Sequence, residues 1–371
     1  MLIAGGEAIP YSLPFRAAYV TASGRIDRRE MVLLRLRDEK GRVGWGEGVP
    51  LSLRGGDPVA TVVGDLERWL AAADGRDLAW REGAMLDGLC PPARCAVLTA
   101  LADLEGRRCG EPVWQLLGAE RCDPVTCNAT LVSGPPERVA ADAAEWAAAG
   151  FSTFKLKVGQ SPKADLALIE AVRDTVGPGA RIRLDANGAW SIETAFELLE
   201  AAAPLLIELV EQPVTSLAEM ALLRSRLHQD GIQIPIAADE SVNDPAEALA
   251  AAGGAAESDG ATTATGERAC DLATVKLSKL GCLRPTLGPA LPFYLSSALD
   301  GPVGIAAAAH AFQALDQAER APLAQGLATQ RLFDATIAVS ECELRSDRLH
   351  LPPGPGLGVE IDETALDARR L

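Results

Sequence analysis

From about residue 125 onward the chain repeats one unit, a short apolar run that reads as a strand followed by an alanine-rich stretch with helical spacing. The runs are VTCNATL (125–131), TFKLKV (153–158), RIRLDAN (181–187), LLIELVE (205–211), IPIAAD (234–239), LATVKL (272–277), PFYLSSAL (292–299) and APLAQGL (321–327). Strands that alternate with helices must run parallel, because each helix carries the chain back across the sheet. About eight such units close on themselves. The expected fold class is therefore α/β, with a closed barrel over residues 126–335.

The first 125 residues follow a different pattern. MVLLRLR (31–37), a turn at DEKG and RVGWGEG (42–48) read as an antiparallel hairpin. Its glycines resemble a phosphate loop only superficially, because no strand-then-helix context surrounds them. Helical patterns follow at 58–73 and 91–107, and WQLLG (114–118) ends on a glycine stop. Residues 12–25 read as a loop of this part. Within the barrel, the glycine- and threonine-rich stretch 253–267 lengthens one connection and reads as an exposed loop.

Charge narrows the function classes. Lys and Arg number 35 against 51 Asp and Glu, a formal charge of −16, which opposes nucleic acid or an anionic membrane as partner. The N-terminal MLIAGGEAIPYSLPFR lacks a basic leader, and no apolar stretch is long enough to span a bilayer. A cytoplasmic protein is expected. The eight cysteines include no CxxC pair, which favours buried reduced thiols over a metal or redox motif.

The polar residues at the strand ends carry the chemistry. Lys157, Asp185, Glu211 and Asp239 fall at the C-terminal ends of four successive expected strands, at intervals of 185 − 157 = 28, 211 − 185 = 26 and 239 − 211 = 28. That end of a barrel is the one open to substrate. Any one acid after a strand reads as a helix cap or a surface ion-pair partner. Three at matching intervals would repel one another unless a cation sat among them, and three hard oxygen ligands suit Mg²⁺. Glu208, by pleat alternation, should face away from Glu211.

In FKLKVG (154–159), alternation turns Lys155 and Lys157 to one face, into the barrel, with Lys157 nearer the metal. Two adjacent ammonium groups disfavour each other's protonation, whereas the carboxylates favour it. Lys276 in LATVKLSKLG is the candidate across the barrel, while Lys279 falls beyond the strand and reads as solvated. A lysine base beside a divalent cation suggests abstraction of a proton next to a carboxylate.

In this order and spacing, FKLKVG, RLDANGAW, VEQP, ADES and VKLSKLG resemble the enolase superfamily, and within it the muconate-lactonizing subgroup, along almost the whole chain. The resemblance implies a modified TIM barrel, (β/α)7β, under an α+β capping domain. The capping domain would comprise residues 1–125 together with the tail 336–371. It further implies Mg²⁺, with Mn²⁺ as a substitute, on Asp185, Glu211 and Asp239, with Lys157 as base, Lys155 as its electrostatic neighbour and Lys276 as the opposing lysine. The partner implied is a small carboxylate substrate, and a homo-oligomer is compatible with the reading.

NATL (128–131), SSALDGPVG (296–304) and AQGLAT (324–329) are most similar to the o-succinylbenzoate synthases of menaquinone synthesis. In that reaction Lys157 would remove the proton and, as conjugate acid, protonate the departing hydroxyl. Arg16, Arg183, Asn187, Ser296 and Ser297 are the candidate substrate contacts. Dipeptide epimerisation ranks second, because the Asp-x-Asp usual on the eighth strand of such enzymes is missing from GLATQRLFD. Muconate-type cycloisomerisation ranks third. A histidine-base racemase is disfavoured, since His228, His310 and His350 lie outside the expected strands. GC at 281–282 departs from the usual GG and puts the setting of Lys276 in question. A non-catalytic relative is the rival from another class, although every expected position is filled.

Overall fold

The structure, a computed structural model, describes residues 1–21, 24–50, 56–80, 84–254, 267–288 and 291–371. Most of the stretch expected as a loop at 253–267 lies outside those residues.

The chain opens with strands β1 (Ile3–Thr21), β2 (Gly24–Asp38) and β3 (Val43–Gly48), an antiparallel sheet in the order β1-β2-β3. Residues 12–25, expected as a loop, are mostly sheet. Beyond a register shift after Pro14, Tyr19, Val20 and Thr21 pair with Ile26, Arg25 and Gly24. Pro10 and Pro14 obscure the strand pattern, yet β1 is an edge strand, where a missing amide hydrogen is tolerated.

Two helices, α1 (Val59–Ala73) and α2 (Pro91–Cys109), cover one face of this sheet and bury Val32, Leu34 and Leu36. The alternate glycines of β3 explain how closely α2 sits. A Cβ on Gly46 would fall 1.9 Å from the Ala96 carbonyl oxygen, and one on Gly44 would fall 2.5 Å from that of Ala100. Trp45 and Glu47 alternate to the other face, where the Tyr11 hydroxyl donates to Glu47, which also accepts from the Gly304 amide of the barrel.

After the short α3 (Val113–Leu116), the expected first strand divides. β4 (Val125–Thr126) pairs with a C-terminal hairpin, and only β5 (Ala129–Leu131) joins the barrel. The parallel staves that follow are β6 (Thr153–Lys157), β7 (Arg181–Asp185), β8 (Ile207–Glu211), β9 (Ile236–Ala238), β10 (Leu272–Val275) and β11 (Phe293–Leu295), each paired with the next. The eighth stave is not a regular strand. Residues 320–327 close the ring through single bridges, Arg320 and Gly326 to Phe293 and Ser296 on one side, and Gln325 to Cys127 on the other.

Helices α4 (Pro136–Ala148), α5 (Pro162–Val176), α6 (Ile192–Ala202), α7 (Leu217–Gln229), α8 (Pro245–Ala251), α9 (Leu277–Leu280) and α10 (Pro302–Gln313) alternate with the staves. Ser161, Ser191, Ser216 and Asp244 cap four of them, and Ser216 with Glu219 completes a reciprocal capping box.

The barrel interior is filled rather than hollow, with Leu209, Ala237, Leu272, Tyr294 and Ala321 packed together beside the buried Arg183. Glu208 departs from simple alternation. A register irregularity lets Arg183 pair with Leu209 rather than with Glu208, and the Glu208 carboxylate accepts from Arg183 Nε at 2.5 Å.

The tail forms β12 (Ala338–Ser340), β13 (Glu343–Arg345), β14 (Arg348–His350), β15 (Glu360–Ile361) and α11 (Glu363–Asp367). It returns to β1, where the Ser12 amide donates to the Arg369 carbonyl at 3.0 Å and the Leu371 amide to that of Pro10 at 3.1 Å. All cysteines are unpaired, but Cys109 and Cys122 are exposed rather than buried. Among the described residues no helix is long and apolar enough to cross a membrane.

Candidate active site

Strand register builds the site. Lys157 is the cross-strand partner of Asp185, and Asp185 of Glu211, so one row of charge crosses the C-terminal rim of β6, β7 and β8. Asp239 follows the last residue of β9, the next stave, and all three carboxylates are fully buried. Lys157 Nζ donates to Asp185 Oδ2 at 2.6 Å and to Asn187 Oδ1 at 3.2 Å. Lys155 Nζ donates to both Glu211 oxygens at 2.8 Å and stands 2.8 Å from Asp185 Oδ2.

These contacts decide the direction left open for Lys155. Burial alone would lower its pKa, but the carboxylates of Asp185 and Glu211 outweigh burial and raise it well above the usual lysine range. Lys155 is thus a fixed cation. Glu211 shifts upward, first through burial and then through the neighbouring charge of Asp185, against the opposing pull of Lys155. Sequence reasoning missed its second hydrogen-bond partner, Tyr294 on β11, whose hydroxyl donates to Glu211 Oε2 at 2.5 Å. The Arg183 guanidinium lies 4.9 Å over the Tyr294 ring.

Lys276 follows the last residue of β10 and stands at the N-cap position of α9, its side chain turned to the site, where Nζ donates to Asp239 Oδ2. In the strand order β6 and β10 are four staves apart, half of an eight-stave ring, so Lys157 and Lys276 approach the carboxylate row from opposite sides. Lys279, expected to be solvated, is not. One turn of α9 brings its Nζ to the Asp239 carbonyl oxygen and within 3.4 Å of Oδ1.

The loops after the staves are braced by amides. Asn187, at φ 49°, accepts from Lys157 and donates through Nδ2 to Glu240 Oε1 at 3.1 Å. Gln212, at φ 39°, accepts through Oε1 from the Asp239 amide at 3.0 Å and donates through Nε2 to Ser241 Oγ at 2.6 Å. Both backbones occupy the left-handed region, a cost tolerated where neighbouring bonds fix the turn. Sequence reasoning did not single out Gln212; its signal was a polar side chain directly after the Glu211 strand end.

The other candidates fall outside the row. Arg183 is buried in the barrel, donating to Glu208, to Asn128 Oδ1 at 3.3 Å and to the Ala324 carbonyl at 2.7 Å. Arg16 is exposed, and its Nε donates to the Phe333 carbonyl at 2.8 Å. Ser297 Oγ accepts from the Asp300 amide and from Thr329 Oγ1, both at 2.8 Å, while Ser296 bridges to Gly326. His310 is buried in α10, where Nδ1 accepts from the Trp114 amide at 3.0 Å and Nε2 lies 3.2 Å from the Leu357 carbonyl.

Asp185, Glu211 and Asp239 are buried at the ends of adjacent staves, each with a lysine ammonium against it, and among the described residues no group of three His, Cys, Asp or Glu side chains stands close enough together to hold a metal ion as they lie.

Comparison with known families agrees with this fold. Residues 138–365 match the family model described as enolase C-terminal domain-like, and residues 8–118 match the mandelate racemase / muconate lactonizing enzyme N-terminal domain. The chain belongs to the enolase superfamily. Among the relatives of this enolase-superfamily enzyme, an L-Ala-D/L-Glu epimerase of Bacillus subtilis is 32% identical, covering 95% of this chain and 94% of the relative. An o-succinylbenzoate synthase of Thermobifida fusca is 36% identical over 222 residues, covering 58% of this chain and 62% of the relative. Among solved structures, a muconate lactonizing enzyme from Pseudomonas fluorescens complexed with muconolactone superposes with a TM-score of 0.88 at 27% identity, covering 100% and 99% of the two chains. A dipeptide epimerase from Enterococcus faecalis complexed with Mg and L-Leu-L-Tyr gives a TM-score of 0.83 at 26% identity, covering 97% and 100%.

Proposed function

We propose that this enolase-superfamily enzyme removes the proton α to a substrate carboxylate, with Mg²⁺ on Asp185, Glu211 and Asp239. Bound there, the ion supplies stabilisation for the negative charge that develops on the substrate carboxylate. Lys157 takes the proton and Lys276 faces it as a cation. Lys155 and Tyr294 hold Glu211, and Gln212 holds the main chain of Asp239. The observation that carries the reading is the opposed placement of Lys157 and Lys276 around one buried carboxylate row.

Within this chemistry the first reading is dehydration of a succinyl-hydroxycyclohexadiene carboxylate to o-succinylbenzoate. It is supported by the identity to the Thermobifida fusca synthase and by an eighth stave, Ala324 to Thr329, that offers no side-chain carboxylate to a substrate ammonium. Lys157 would return its proton to the departing hydroxyl, so one lysine serves both steps. The second reading, dipeptide epimerisation, is favoured by a different observation: relatives and structures of that activity align over nearly the whole chain, and two opposed lysines suit proton removal on one face and return on the other.

Turnover of the cyclohexadiene carboxylate with and without Mg²⁺, beside α-proton exchange of a dipeptide panel in D₂O, separates the two. Metal-dependent aromatisation without dipeptide exchange supports the synthase; exchange alone supports the epimerase. Silence in both overturns the proposal for these substrates.

A further inference from the structure

At the opposite end of the barrel from the lysines, where the staves begin, a cleft of about 760 Å³ opens between the first residues of β6 and β7, β4 and the chain after α10. Four guanidinium groups line it, Arg121, Arg181, Arg320 and Arg348, each from a different part of the chain. Their counter-charges are few. Arg121 pairs with Asp123 at 2.9 Å and Arg348 with Asp347 at 3.4 Å. Arg181 reaches Glu208 only at 3.5 Å, and that carboxylate already accepts from Arg183 at 2.5 Å.

Arg320 makes no ion pair among the described residues; its guanidinium lies 4.2 Å over the Phe312 ring. Arg320 is exposed; partial desolvation and then the nearby Arg121 disfavour its charge, while Asp123 favours it. Against Asp123 and Asp347, the four arginines leave the lining about two charges positive. On a chain of formal charge −16, that is a local reversal of sign.

We propose that this cleft binds a small multivalent oxyanion, a polyphosphate or a polycarboxylate. Planar guanidinium forks pair with either group through two parallel hydrogen bonds, and an anion seated between Arg121 and Arg320 relieves their mutual repulsion. The site is separate from the carboxylate row and does not depend on the reaction proposed above.

Calorimetric titration of the full chain, in low-salt buffer without Mg²⁺, uses pyrophosphate in one arm and citrate in the other. One saturable site is expected in at least one arm, and the arm that binds identifies the source of the anion. Arg121→Gln combined with Arg320→Gln should raise Kd at least tenfold, while Lys157→Met should leave it unchanged. Absence of saturable binding in both arms, an unchanged Kd in the arginine variant, or loss of binding in Lys157→Met would each overturn the proposal.

Discussion

Lys276 and Lys279 bracket one carboxylate, Lys276 at Asp239 Oδ2 and Lys279, one helical turn on, at its carbonyl oxygen and 3.4 Å from Oδ1. If Lys276 serves the reaction, Lys279 keeps Asp239 in place when Lys276 turns to substrate. Lys279→Met should lower kcat about tenfold, the scale of one hydrogen bond to a charged group, with partial recovery in Lys279→Arg. Wild-type kcat in the methionine variant would show that Lys276 and Gln212 suffice.

The base assignment has a direct test. Lys157→Ala should slow α-proton exchange by about 10²–10⁴-fold, the usual contribution of a positioned general base, while Mg²⁺ binding measured calorimetrically persists. Exchange within a few fold of wild type would remove Lys157 from that role.

Asp239→Asn should weaken Mg²⁺ affinity and turnover together, since a neutral amide is a poorer ligand for a hard cation. An unaltered Mg²⁺ titration would place the metal elsewhere.

Glu47 gives stability a pH dependence. Burial and the neighbouring Asp300 push its carboxyl up to about 7 from 4.5, even though hydrogen bonds from Tyr11 and from the amides of Gly301 and Gly304 pull the other way. A folded-state pKa above the unfolded one contributes stability that is complete below pH 4.5 and is lost as pH rises through 7, about 3 kcal/mol in all. Urea midpoints at pH 5 and pH 8 should therefore differ more for wild type than for Glu47→Gln. Equal pH dependence in the two would contradict the assignment.

His310 is a brace rather than a base. Burial lowers its pKa to about 4 from 6.5, so its contribution is present above pH 6.5 and lost as pH falls through 4. His310→Ala orphans the Trp114 amide and should cost about 1–3 kcal/mol in denaturant unfolding, with kcat little changed at 25 °C. A collapse of kcat in a folded variant would reopen a catalytic role.

Much of this was legible in the sequence because stave spacing is regular. Lys157, Asp185, Glu211 and Asp239 recur at nearly one strand-plus-helix unit, and the register sets the first three side by side, with Asp239 two residues beyond the partner of Glu211. What escaped depends on local departures from period. Lys279 looked solvated because a strand reading cannot foresee the single turn of α9, and Glu208 looked outward because alternation cannot foresee a register slip. Tyr294 lies on another stave, and its link to Glu211 is a long-range contact without a local signature. The irregular eighth stave reads as a strand from its apolar run, yet its pairing is confined to isolated bridges.

The glycine face of β3 has a consequence at a distance. Because Gly44 and Gly46 let α2 lie flush on the sheet, the start of α2 is also fixed against α9: a Cβ on Gly281 would fall 2.9 Å from Pro91 Cα, and Cys95 Sγ donates to the Cys282 carbonyl at 3.6 Å. Sheet, helix and turn thus form a stack with little slack, ending at the turn that presents Lys276 and Lys279. A single added methyl at Gly46 would be transmitted along that stack as a displacement. Lys276 is, in this sense, aligned from the N-terminal sheet, and β3 acts as a gauge for the candidate site.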